Sequence, residues 1–288
     1  MLNQKKLFVG IHKDVYDYIS SLGDLADKKV LDIPCGDGRA SSVFEEQNAT
    51  VFPLDIFPQE NKYSKIDAKF GDMNEILPIE SNSMDIVICQ EGIEHISDQT
   101  KLLEEFNRVL KIGGTLIITT PSLSNMRSKF SIFFTESDLA KRSPPSIIDS
   151  VWHVSDRDER IYYGHLFLLT VNKLHTILGL AGFNIVYRKL TRVSKSSLVI
   201  SILFYPLIIL TNLVAYYSYR SKNTHIEYSE RKKVLWEKFK LNVSLTTLLS
   251  KHTFWVSKKT RDKQDILKTL RKYSDKMSKD IKQDRGVE

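Results

Sequence analysis

The chain has 288 residues, 42% of them hydrophobic and 27% charged, which suits a folded protein and excludes wholesale disorder. Its formal charge of +7 is unevenly placed: residues 219–288 carry 19 Lys plus Arg against 9 Asp plus Glu, and the remainder is mildly acidic. That quarter suits a phosphate-bearing partner, in nucleic acid or on an anionic lipid surface, or is a solvated tail.

Two cysteines, Cys35 and Cys89, exclude a disulfide framework and read as small buried fillers, and the opening MLNQKKLFVG lacks the apolar core of a signal peptide. A cytoplasmic protein is the expectation. Apolar spacing over residues 12–26 (Val15, Tyr18, Ile19, Leu22, Leu25) predicts a helix ahead of the first strand, KVLDI. A glycine turn and a helix near 38–47 follow, then strands TVFPLDI, MDIVICQ and GTLIITTP, the last preceded by the amphipathic run LLEEFNRVL and the turn KIGG. Strands that are apolar throughout, alternating with helices, predict an α/β fold: a doubly wound, mostly parallel sheet with helices on both faces. Residues 122–164 read as an irregular lid or binding insertion, TVNKLHTILGLAG as a helix stopping at Gly182, and FNIVYRKL as a further strand.

In an open sheet of this kind the ligand sits beyond the carboxyl ends of the strands. There the sequence reads Asp32-Ile33-Pro34-Cys35-Gly36-Asp37-Gly38. Gly36 and Gly38 let a ligand approach the backbone where a Cβ would collide. Pro34 stands where such a turn usually has its first glycine; it ends the strand, keeps Ile33 extended and gives up an N–H that is not needed there. Asp55 closes the second strand, where a carboxylate can accept both hydroxyls of a ribose. Two acids, Asp32 and Asp37, would repel a pyrophosphate and attract a sulfonium and an ammonium group, so a cationic ligand is expected.

The segment Lys28 to Pro121 resembles the class I S-adenosylmethionine-dependent methyltransferases, with the motifs in family order and a weaker likeness through Phe183. The resemblance implies a Rossmann-like sheet of seven strands whose last strand is antiparallel, and S-adenosylmethionine as cofactor. It assigns Asp32, Gly36 and Gly38 to the methionine end, Asp55 to the ribose, Asp72 to the adenine amino group, Met73 to the face of the ring, and Gln90 and Glu91 to the methyl-transfer side. Pro34 departs from the family pattern and should alter the turn without abolishing binding.

In EGIEH, residues Glu91, Glu94 and His95 would share one face of a helix at the active-site edge, where two carboxylates and an imidazole can bind a divalent cation. The sequence resembles the ubiquinone-pathway O-methyltransferases and some RNA 2′-O-methyltransferases in this set, which implies a divalent cation such as Mg with a later histidine completing the shell: His165, or failing that His153. Without a metal, His95 or His165 would serve as general base. His12, His175, His225 and His252 receive no role.

Residues 196–219 form an uncharged run of 24 residues, long enough as a helix to cross a bilayer and kinked at Pro206. KHTFWVSKK, residues 251–259, reads as the final strand of the sheet, paired with FNIVYRKL; the chain on either side of the run then lies on one side of any membrane, and a single crossing is excluded. Two readings stay open: peripheral contact with the inner face of a membrane, aided by Arg231, Lys232, Lys233, Lys238 and Lys240, or packing on the core or a second subunit. The expected organisation is a core over 1–191, an apolar and basic insertion over 192–250, the last strand over 251–259 and a basic tail over 260–288, a marginal helix or a disordered arm.

The acceptor is expected to be a small molecule, a lipid-linked precursor or a glycan, since TVNKLHTILGLAGF resembles small-molecule and cell-surface-glycan methyltransferases. An RNA methyltransferase using the basic C-terminus, or a non-catalytic membrane-associated module of the same fold, are the rivals. Trp236, Phe239, Phe254 and Trp255 are too sparsely placed to favour nucleic acid. Oligomeric state is not legible.

Overall fold

The computed structural model describes residues 8–138, 144–155, 158–220, 227–271 and 274. The N-terminal stretch read for a leader, and Lys222, His225, Tyr273 and Met277, lie outside or extend beyond the described residues. The strands are β1 Lys29–Asp32, β2 Thr50–Asp55, β3 Lys69–Phe70, β4 Met84–Gln90, β5 Leu110–Pro121, β6 Val151–Val154, β7 Ile161–Tyr163, β8 Phe183–Arg188 and β9 His252–Lys259. The helices are α1 Ile11–Ser20, α2 Arg39–Glu46, α3 Gln99–Val109, α4 Met126–Thr135, α5 Val171–Leu180, α6 Lys195–Arg220, α7 Tyr228–Val243 and α8 Leu245–Leu249.

Seven strands form one sheet in the order β3-β2-β1-β4-β5-β9-β8. The pairs from β3 to β5 are parallel, and β9 runs antiparallel to both of its neighbours, β5 and β8. Successive strand side chains point to opposite faces, and both faces are apolar. Val30, Ile86, Ile88, Ile117 and Phe254 pack against α1 and α2, through Val15, Ile19, Val43 and Phe44. Leu31, Val87, Leu116 and Ile118 pack against α3 and α5, through Leu103, Phe106, Leu174 and Leu178. The sheet is therefore a middle layer between two layers of helices. Side-chain caps start the helices after several strands: Asp98 accepts from Lys101 N–H, Asn125 from Ser128 N–H and Thr170 from Lys173 N–H.

Residues 122–164, expected to be irregular, instead contain α4 and the two-stranded β6–β7 sheet. Proline pairs and scattered charge conceal these elements because each is short and only partly buried. The insertion between β8 and β9 is helical. β8 and β9 pair from Phe183 opposite Lys259 to Arg188 opposite Trp255, and Val193 bridges Ser250, so both ends of the insertion are tied together at one edge of the sheet. Beyond β9, Thr260 N–H donates to the Gly182 carbonyl, residues 263–271 are helical and Ile266 is buried, so the start of the tail belongs to the folded body.

Candidate active site

Loops after β1, β2, β3 and β4 converge where the strand order reverses, between β1 and β4, and enclose a cavity of about 510 Å³. Asp32, Gly36, Asp55, Asp72, Met73, Gln90, Glu91 and His95 all line it.

Asp32 ends β1 with no exposed surface. One carboxylate oxygen, Oδ2, accepts from the Ser41 hydroxyl at 2.6 Å; the other, Oδ1, is buried without a partner. Burial, reinforced by the nearby Asp55 and Asp37 charges and opposed by the Ser41 bond, pushes its pKa up to about 7. Gly36 follows at φ 52°, and the place its Cβ would occupy is open, with no atom within 4 Å. The turn thus leaves backbone accessible beside an unsatisfied acid, as a cationic ligand with a close-approaching chain requires. Pro34 sits on the other side of this turn: a Cβ on Gly92 would lie 2.4 Å from Pro34 Cδ, so Gly92 is what lets the β1 and β4 loops pack together.

Three expectations change here. Asp37 does not join Asp32 as a free acid, because the Arg39 guanidinium binds it at 2.6–3.0 Å. Gly38 does not line the cavity: at φ 81° its Cβ would strike the Asn61 side chain and approach Ser64 N to 2.9 Å, so glycine is needed there to fit the loop after β2. Asp72 reaches the cavity with its carboxylate already committed. Oδ1 accepts from Asn74 N–H and Nδ2, while Oδ2 takes Arg160 Nη1 at 2.5 Å and the Tyr162 hydroxyl at 3.0 Å. The β6–β7 sheet lies over the predicted adenine position through this ion pair, which also engages Glu75. Asp55 is held by Gly36 N–H on Oδ2 and Phe57 N–H on Oδ1, each at 2.8 Å; these bonds orient a carboxylate whose remaining lone pairs can still accept.

EGIEH does not form one α-helical face. Only Ile93–His95 is helical, a single 3₁₀ turn, and Glu91 precedes it at φ 50°. That left-handed residue turns Glu91 towards β5 and β9: its carboxylate accepts from Thr119 Oγ1 at 2.9 Å and lies 3.4 Å from His252 Nε2. Glu91 therefore stands apart from the other predicted ligands. Glu94 is fully buried, with Oε2 accepting from Thr120 Oγ1 at 2.8 Å and Oε1 unpartnered. Burial raises the proton affinity of both glutamates, and the Glu94 charge adds to the effect at Glu91. Donor atoms of Glu94, His95 and His165 lie within 4.8 Å of one another. His95 Nδ1 is 2.8 Å from the Tyr163 carbonyl, which can only accept, so Nδ1 carries the proton and Nε2 is left with its lone pair. His153 stacks with Tyr162 instead and is outside that group.

His12 and His252, given no role from sequence, belong to this region. His12 Nδ1 is 2.6 Å from Gln90 Nε2 at the cavity wall, and burial, with the Arg39 charge, lowers its pKa. His252 is pushed down to about 4, first by burial and then by neighbouring cations led by Lys251. Trp152 and Tyr163 also line the cavity, and Trp152 lies against His95 with ring centroids 5.7 Å apart. Sequence offered no local cue for these partners: Tyr163 is 68 residues from His95, and Arg160 is 88 from Asp72.

Residues 31–118, which span the four loops' strands, match the profile of a methyltransferase domain. This segment is a class I methyltransferase domain. The chain is 31% identical over 113 residues to the ubiquinone biosynthesis O-methyltransferase of Xanthomonas oryzae, a match covering 36% of this chain and 47% of that protein. The corresponding protein of Xylella fastidiosa is 28% identical over 113 residues, covering 36% and 46%. The chain thus spans about half the length of the curated relatives it matches. A SAM dependent methyltransferase structure from Archaeoglobus fulgidus superposes with a TM-score of 0.49 at 17% identity, over 86% of this chain and 92% of that one, too distant to bear on function. The matched residues 31–118 end before α6 and α7.

Proposed function

We propose that the methyltransferase domain transfers a methyl group from S-adenosylmethionine to a hydroxyl oxygen of a small, lipid-linked or glycan acceptor. The observation that carries the reading is Asp32: a fully buried carboxylate with one unpartnered oxygen, beside a glycine whose missing side chain leaves the cavity open. A ligand ammonium satisfies that oxygen, whereas a diphosphate would be repelled by it. The relatives named as O-methyltransferases support oxygen as the acceptor atom.

The cofactor supplies a methyl carbon on a positively charged sulfur. Transfer to an acceptor oxygen would break that carbon's bond to sulfur and free a neutral thioether, and the hydroxyl proton would have to pass to a base of this chain. We assign that role to His95 Nε2; the bond from Nδ1 to the Tyr163 carbonyl, which leaves Nε2 its lone pair at the cavity wall, supports the assignment. The protein's contribution is otherwise alignment in a cavity roofed by Trp152, Tyr162 and Tyr163.

A second reading is favoured by the unpartnered Glu94 Oε1 beside two imidazoles. Glu94, His95 and His165 would hold a divalent cation, which polarises a hydroxyl when bound. Two nitrogen donors suit zinc, iron or nickel better than the magnesium expected from sequence. Chelation separates the two: activity that survives EDTA keeps His95 as base, and activity that is lost and restored by one metal gives it to the ion. The acceptor is tested by incubating the full chain with methyl-labelled S-adenosylmethionine and fractionated lipid, glycan, small-molecule and RNA pools. Label confined to RNA would overturn the assignment.

A further inference from the structure

Helix α6 has an inverted surface. Its 26 residues contain no acid, they are long and apolar enough to cross a membrane, and only Ser197, Ser201 and Tyr216 are buried. The inward stripe is thin: Ile200, Phe204, Tyr205 and Ile208 meet Met126 and Phe130 of α4 and Leu248 and Leu249 of α8, and Tyr216 meets Trp236 of α7. The outward stripe is as apolar as the inward one, with Ile202 and Leu203 each about 70% exposed and Leu207, Leu210 and Val214 all exposed. Phe133 and Phe134 at the end of α4 extend it, 80% and 72% exposed. A helix that is hydrophobic all round belongs in contact with something other than water, and a continuous exposed patch of this kind marks an interaction surface.

Charge around the patch says what covers it. Beside the start of α6, Arg127 N–H donates to Ser197 Oγ at 3.0 Å and Lys251 N–H to the Arg192 carbonyl at 3.1 Å, and among the described residues no carboxylate pairs with these three cations; the Lys251 ammonium is held below its ordinary value by burial and then by the two arginines. At its other end Arg220 lies over the Tyr228 ring, near Tyr217, Tyr219 and the stacked pair Trp236 and Phe239 of α7. Apolar side chains bounded by aromatics and cations match the depth profile of a bilayer interface with anionic headgroups. A second copy of the chain fits poorly. Whether two α6 helices met parallel or antiparallel, the cations at each end would face cations.

The topology also limits how the helix can insert. The chain leaves the sheet after β8 and returns to β9 with Val193 and Ser250 bridged, so the two ends of the insertion, and with them the start of α6, stay at the carboxyl edge of the sheet where the cavity opens. We propose that α6, with the end of α4, lies flat in the headgroup region of an anionic membrane and anchors the protein there without crossing it. The inference is independent of the methyl-transfer reading.

Flotation of the full chain with vesicles tests it, comparing pure phosphatidylcholine with equal parts phosphatidylcholine and phosphatidylglycerol. The wild type should float with the anionic vesicles, about tenfold less with neutral ones, and the double variant Ile202→Glu, Leu203→Glu should lose about tenfold of the anionic binding. Both side chains already face outward, so thermal melting and S-adenosylhomocysteine binding by the variant should match the wild type. Failure of the wild type to float, flotation unaffected by the two glutamates, or a dimer in sedimentation that the same variant dissociates while vesicles go unbound, would each overturn the proposal. A variant that floats normally but no longer binds S-adenosylhomocysteine would count against the surface assignment too, since it would show α6 serving the cavity instead.

Discussion

Burying a carboxylate away from any cation makes it hold its proton more tightly, and Asp32 is such a group, with a pKa near 7 in place of 3.8. The sign follows directly. A raised folded-state value contributes stability that is fully present below about pH 4 and is lost as pH rises through about 7. The ionised form that a cationic ligand needs grows over the same interval, so affinity for S-adenosylhomocysteine should rise about tenfold between pH 6 and pH 8 in calorimetry. Asp32→Asn should flatten that profile and weaken binding roughly 10- to 100-fold, the range of a lost charge-assisted hydrogen bond. A second residue-scale expectation concerns Gly92, where an added methyl meets the Pro34 ring at 2.4 Å. Gly92→Ala should cost about 1–3 kcal/mol, read as a lowered midpoint in thermal unfolding. Asp32, Gly36 and Asp55 were legible in sequence because each follows a strand end at motif spacing. The pairing of Asp37 with Arg39 was not, although the two are only two residues apart, since a motif records residue types and not the direction a side chain takes.

Among the elements, the β6–β7 sheet decides how open the cavity is. Arg160 and Tyr162 occupy the Asp72 oxygen that an adenine amino group would need, so removing the competitor should help a nucleoside ligand. Arg160→Ala is expected to bind S-adenosylhomocysteine several-fold tighter by calorimetry; weaker binding would mean that the ion pair supports the ligand's pocket instead of competing for it. The 3₁₀ turn at Ile93–His95 is the other deciding element. A periodicity argument places Glu91, Glu94 and His95 together only if the helix is already under way at Glu91, and the left-handed conformation of that residue breaks the premise. Sequence nonetheless named all three members of the cluster, Glu94 and His95 from EGIEH and His165 through the family resemblance; it erred in adding Glu91. His165→Ala should abolish any divalent-ion dependence while leaving S-adenosylhomocysteine affinity unchanged, as metal analysis and calorimetry on the same preparation would reveal.

Over the whole molecule, the parallel strands β1, β2, β4 and β5 and the antiparallel β9 were readable because each is an apolar run that the sheet buries, whereas β3, two exposed residues, left no such trace. The insertion between β8 and β9 was recognisable as apolar but not as exposed: composition reports how oily a helix is, and only packing reports what covers it. Its placement at the carboxyl edge joins the two halves of the account, since the same edge that opens the cavity carries α4 and both ends of the insertion that holds α6. Vesicle binding that depends on the cations at the two ends of α6 should weaken as salt is raised, whereas cofactor binding inside the cavity should change little. The central claim, however, is the charge of the ligand at β1. Titrating the full chain at pH 8 with S-adenosylhomocysteine and, separately, with NAD tests it most directly. The account predicts saturable binding of the former that Asp32→Asn weakens roughly 10- to 100-fold, and no binding of the latter; saturable NAD binding with S-adenosylhomocysteine silent would contradict it.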